Sequence, residues 1–229
     1  MKKTVKLLCL AAALTVGTGS AAQAEGFKIG ADVVSSYVWR GGELGDSPAI
    51  QPALSYTFPG IGVVVGAWGS YAVIENTYDS VTAEDFRYKE VDLYVTVPVG
   101  PFSFTLTDYF VPYPTNGDTF DFSSDGPNTL ELSLGYSYKN LGLLGAIFVG
   151  GNDYDNAKYF EASYKFYEKN GYSAKATVGA GDEDYYGDWE GDNIALVNTG
   201  ISVSKDRFTV SYVFNPDTEK SHLVFMASF

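Results

Sequence analysis

The sequence predicts an all-β fold, a closed antiparallel transmembrane β-barrel of about twelve strands. Three observations predict it. The last residues place Leu223, Phe225, Ala227 and Phe229 in alternation with Val224, Met226 and Ser228, and the chain stops on an aromatic ring. A period of two is the signature of a strand. The connections between such segments alternate between tight turns and longer acidic stretches, and most segments set an apolar face against one carrying charged and small polar residues.

The N-terminus reads as a secretory signal peptide over residues 1–24. Lys2, Lys3 and Lys6 precede an apolar run from Leu7 to Val16, and Ala22-Gln23-Ala24 predicts cleavage before Glu25. That run is shorter than the ~20 residues a spanning helix needs. Its Cys9 is the only cysteine, so the mature chain, residues 25–229, is expected to hold no disulfide and to form one barrel domain. Loss of the three leader lysines takes the formal net charge from −13 to −16. So acidic a chain lacks the basic clusters that bind nucleic acid. It is suited instead to cations, and to lipopolysaccharide bridged through divalent ions. Outer-membrane lipid is the expected surrounding. The last strand resembles the segment read by the outer-membrane assembly machinery.

The predicted strands are 26–40, 49–58, 62–73, 87–97, 101–111, 128–138, 141–150, 157–168, 171–180, 193–203, 206–215 and 219–229. Tight turns fall at Pro59-Gly60, Pro98 to Pro101, Lys139-Asn140, Lys169-Asn170-Gly171 and Lys205-Asp206. These are residues that preset φ or tolerate positive φ. The other connections are 41–48, 74–86, 112–127, 151–156, 181–192 and 216–218. Short turns at one end and mostly longer loops at the other give an outer-membrane layout, with both termini at the short-turn end.

A soluble barrel also alternates, so the content of the two faces decides which is outside. The first strand sets Phe27, Ile29, Ala31, Val33, Tyr37 and Trp39 against Lys28, Gly30, Asp32, Ser36 and Arg40. Phe27, Phe58, Phe102, Tyr138, Phe166, Phe208 and Phe229 collect at the tight-turn ends of the apolar faces, an interfacial girdle. The charged faces point inward, giving Lys28, Asp32, Arg40, Glu90, Asp92, Glu131, Glu161, Lys165 and Lys175 as lumen-lining residues. Four places fit less well. Pro52 cannot donate within a closed ladder, so its strand is expected to start after it or bulge there. Val63-Val64-Val65 and Leu196-Val197 are apolar on both faces. Asp108 falls in outward register, which predicts a place at the outer rim or a bulge.

Two readings of the inward charges stand open: charge rings that select solutes, or pairs that plug the lumen. The 181–192 loop crowds Asp182, Glu183, Asp184, Asp188, Glu190 and Asp192 around Tyr185, Tyr186 and Trp189. It has no EF-hand spacing and reads as a solvated acidic loop, with calcium binding the alternative. The stretches 118–125 and 152–156 are milder versions. His222 is the only histidine. It is predicted near the outer end of the last strand, pointing inward. Its neighbour Ser221 lies on the opposite face, and no G-x-S-x-G elbow is present. No catalytic residues, metal ligands or cofactor are expected, and the chain is not read as an enzyme.

One stretch carries a family resemblance. Ser36-Tyr37-Val38-Trp39-Arg40-Gly41, Pro48-Ala49-Ile50-Gln51 and Gly66-Ala67-Trp68-Gly69-Ser70 resemble the opening of the TorF-type porins. Ser35-Ser36 departs from the Ser-Asp usual there, removing a carboxylate that could have partnered Arg40. The resemblance implies an outer-membrane barrel and a porin. The expected function is passive passage of small hydrophilic solutes or ions. The alternative is a non-conducting barrel that acts through its acidic outer loops on a ligand or a divalent ion.

Overall fold

The computed structural model describes residues 25–75, 77–79, 84–112, 118–124, 126–151, 156–188, 191 and 193–229. The predicted signal peptide lies outside them. The strands are β1 (Gly26–Val34), β2 (Tyr37–Trp39), β3 (Gly42–Leu44), β4 (Ala49–Thr57), β5 (Val64–Ala72), β6 (Thr77–Asp79), β7 (Glu84–Phe86), β8 (Lys89–Val99), β9 (Phe102–Phe110), β10 (Asn128–Tyr138), β11 (Leu141–Gly151), β12 (Lys158–Lys169), β13 (Tyr172–Asp182), β14 (Ile194–Lys205), β15 (Phe208–Asn215) and β16 (Lys220–Ser228). One helical turn, α1 (Glu183–Tyr186), follows β13. Twelve strands close into a ring in the order β1-β16-β15-β14-β13-β12-β11-β10-β9-β8-β5-β4, all antiparallel to their neighbours. The pairs β2–β3 and β6–β7 stand outside the ring.

Turn chemistry sets one end of the barrel. Asn170 and Gly171, at φ 54° and 79°, form the two-residue link between β12 and β13. Two left-handed residues give the type I′ geometry that matches strand twist. The ring closes where Phe229 and Ala31 exchange backbone hydrogen bonds, 2.9 Å from the Phe229 N–H and 3.2 Å from the Ala31 N–H.

The faces are inverted relative to a water-soluble protein. On β10, Leu132 and Leu134 are exposed while Glu131 and Ser133 are buried. The same holds on β8, with Val91, Leu93, Val95 and Val97 outside and Glu90 and Asp92 inside. All seven predicted girdle aromatics are exposed. An apolar outer wall around a polar interior is the pattern of an outer-membrane-type barrel.

The first predicted strand is corrected. The wall strand ends at Val34, and Tyr37 and Trp39 do not face outward. They start a hairpin that turns into the barrel. Pro52 lies inside β4, and the strand neither starts after it nor bulges. Pairing with β1 runs unbroken through Ala31↔Pro52, whereas pairing with β5 skips from Ile50↔Tyr71 to Ala53↔Trp68. The Gln51 amide donates to Ser70 Oγ across that gap at 3.4 Å. Val197 is a bulge residue: Gly179 faces Asn198 and Ala180 faces Leu196. The extra residue puts both Val197 and Asn198 on the inner face. Asp108 sits two residues from the loop end of β9, where the Asn128 amide donates to it at 2.9 Å, as expected for a rim position.

Candidate functional site

The site is the half of the lumen at the longer-loop end, occupied by the β2–β3 hairpin. The hairpin pairs Tyr37 with Leu44 and Trp39 with Gly42, around a turn at Arg40 (φ 49°) and Gly41 (φ 90°). It is tethered where it leaves β1: the Ser35 N–H donates to Phe225 O at 2.8 Å, and the Phe225 N–H donates to Ser35 Oγ at 2.9 Å. Aromatic rings then guide it inward. Tyr37 rests on Trp68 and Tyr88, with centroids 5.3 and 6.1 Å away, and Trp39 rests on Tyr109 and Tyr186 at 5.8 and 5.7 Å.

Arg40 anchors the tip. Its guanidinium donates to both oxygens of Glu131, at 2.7 and 2.9 Å, and to the Tyr186 hydroxyl at 2.7 Å. The Tyr109 hydroxyl donates to the same carboxylate at 3.2 Å. The guanidinium carbon lies 4.3 Å from the Trp39 ring centre and 4.6 Å from that of Tyr159. Burial pushes the Tyr186 phenol up to about 12, against the lowering effect of Arg40, so its neutral oxygen accepts the Arg40 hydrogen bond. Arg40 and Glu131 are both almost fully buried. A bidentate pair with further hydroxyl partners is the geometry in which two buried charges hold each other.

The turn touches the opposite wall. A Cβ on Gly41 would lie 1.9 Å from Val197 O, so only glycine lets the hairpin reach β14. The inward bulge at Val197 is the surface on which that backbone rests. On β3, Glu43 accepts from Ser36 Oγ and lies 3.5 Å from His222 Nδ1. The lone histidine points inward as expected, and its neighbour is the hairpin.

The nine predicted lumen residues are not one ring. Arg40 belongs to the hairpin, and Glu131 is its partner. Glu161 accepts from the Tyr159 hydroxyl at 2.8 Å and the Asn198 amide at 3.3 Å, with Lys175 close enough to act on it. Lys165 pairs with Glu168 near the short-turn end. Asp32 is buried beside Ser228, with the exposed Lys28 acting on it. Glu90 accepts from the Tyr88 hydroxyl at 2.9 Å and lies against the carboxyl of Asp92. Sequence reasoning missed Trp39, Tyr109, Tyr159 and Tyr186 as the packing around Arg40. Inward tyrosines on strands with an apolar outer face were the available signal.

In the acidic loop, Tyr186 turns down into the barrel instead of outward. Asp182 is bound to β12 through the Lys158 N–H. Glu183, Asp188 and Asp217 bring carboxylate oxygens within 4.8 Å of one another, with Asp217 held by the Asp188 N–H at 2.8 Å. Trp189, Glu190 and Asp192 lie outside the described residues, as do 125 and 152–155 of the two milder loops.

The sequence model of a bacterial family, Gcw_chp, matches residues 19–221, from before β1 into β16. The chain belongs to that family. The family is described as a bacterial protein of unknown function. No curated protein matches the chain.

Proposed function

We propose that this protein is an outer-membrane barrel, exported by its N-terminal signal peptide, that passes small hydrophilic solutes or ions when the β2–β3 hairpin leaves the lumen. The buried Arg40–Glu131 pair carries this reading. It joins a hairpin that springs from β1 to a wall strand five steps round the ring in one direction and seven in the other. The pair is a small set of hydrogen bonds whose removal would free the hairpin tip from that strand. The inverted faces support the membrane setting, and the Ser36–Gly41 stretch that resembles TorF-type porins supports transport. Passage needs no catalytic group. The test is conductance of the refolded mature barrel in a planar bilayer. Native protein should be mostly closed, and Glu131→Gln should open far more often. Equal conductance from both would remove the gate from the account.

A second reading, a permanently closed barrel acting through its loops, is favoured by Trp39, which packs against both hydrophobic clusters in the lumen. That reading predicts silence from native protein and anchor variants alike.

A further inference from the structure

Between the hairpin and the wall lies a cavity of about 120 Å³. Trp39, Tyr88, Tyr109, Phe148 and Tyr185 make up half of its wall, and the one ionisable acid on it is Glu90. This volume is well below the roughly 300 Å³ at which sites for drug-sized ligands begin. It suits a group the size of a substituted ammonium and excludes a sugar ring.

The charge balance singles out the same place. Glu131 has Arg40, Glu161 has Lys175 and Asp32 has Lys28. Glu90 and Asp92 sit side by side on the inner face of β8, both over nine-tenths buried, and no basic side chain within ion-pair distance accompanies them among the described residues. Asp92 Oδ1 meets no hydrogen-bond donor among those residues. Two adjacent buried carboxyls without a counter-charge hold a shared proton or take up a cation in its place. Aromatic rings on the cavity wall select which kind, because ring quadrupoles favour a weakly hydrated organic cation over a strongly hydrated metal ion.

We propose that this cavity binds a small organic cation, a quaternary or substituted ammonium group, with Glu90 as its counter-ion, Asp92 adding negative potential, and Trp39, Tyr88 and Tyr109 as its cage. Two of the lining residues, Trp39 and Leu44, belong to the hairpin, so the bound cation holds the hairpin in place. Binding does not depend on whether the barrel conducts, so it stands or falls apart from the transport reading.

The test is a titration of the refolded mature barrel in detergent with choline, followed by calorimetry and tryptophan fluorescence. Saturable binding is expected, weakened by about tenfold or more in Glu90→Gln, which removes the charge but keeps an acceptor for Tyr88. Asp92→Asn should weaken it less. The uncharged isostere 3,3-dimethylbutanol should fail to bind, and calcium should not compete. A heat-modifiable band establishes that each variant is folded. No saturable choline binding to folded native barrel overturns the proposal. So does equal affinity in Glu90→Gln, equal binding of the neutral isostere, or displacement by calcium.

Discussion

Arg40 and Glu131 lie 91 residues apart in the chain and meet inside the barrel through two hydrogen bonds of 2.7 and 2.9 Å. Arg40 is the tip of a hairpin and Glu131 is part of the wall, so the pair fixes the hairpin to the ring. The surrounding tyrosines shield it from water, and the hydroxyls of Tyr186 and Tyr109 each add one hydrogen bond to it.

Removing one partner should cost more than removing both. Glu131→Ala leaves a buried guanidinium without a counter-charge, a loss of about 3–5 kcal/mol. Arg40→Met combined with Glu131→Leu should recover most of that, because an apolar pair of similar volume needs no desolvation. Urea unfolding of the detergent-refolded barrels measures both.

Gly41→Ala should loosen the hairpin while keeping both residues of the ion pair. The new methyl would meet the Val197 carbonyl, at a backbone φ of 90° that disfavours any side chain. A loss of at least about 1 kcal/mol is expected. Protease cleavage between Tyr37 and Leu44 should be faster than in native barrel.

The outer wall gives a test of the membrane setting. Leu134 is an exposed residue midway along β10. On a water-exposed surface Leu134→Arg would change stability by less than about 0.5 kcal/mol. Facing the middle of a bilayer it should cost about 2–4 kcal/mol. Refolding equilibria in lipid vesicles separate the two.

Most of the wall was legible in the sequence because its forces are local. Alternation, turn residues and the girdle aromatics each depend on neighbours within a few positions, and eleven predicted strands match wall strands to within two residues at either end. The hairpin was not legible. Tyr37 and Trp39 continue the alternation of Phe27 to Val33 in phase, so a strand that leaves the wall for the lumen keeps the same pattern. Gly41-Gly42 marked a turn without saying where it points. The partner of Arg40 was hidden for a different reason: Glu131 comes from a distant strand, and only closure of the ring brings them together. Val197 was a further local clue. An apolar residue on a polar inner face needs something to pack against, and Val197 joins the cluster of Tyr109, Tyr159 and Tyr186 against which Trp39 packs.

Charge in the lumen should set ion preference once the hairpin is out. In a barrel with Tyr37–Leu44 replaced by a short Gly-Ser linker, Asp92→Asn should lower cation over anion preference, since Asp92 is an inward acid with no basic partner. Reversal potentials in a salt gradient measure the shift. The acidic loops add a part that fades as salt rises.

The most direct measurement is single-channel recording of the native barrel beside that hairpin replacement. The native barrel should be closed most of the time, and the replacement should conduct in steady, reproducible steps. A native barrel as conductive as the replacement, or a folded replacement that stays silent, would contradict this.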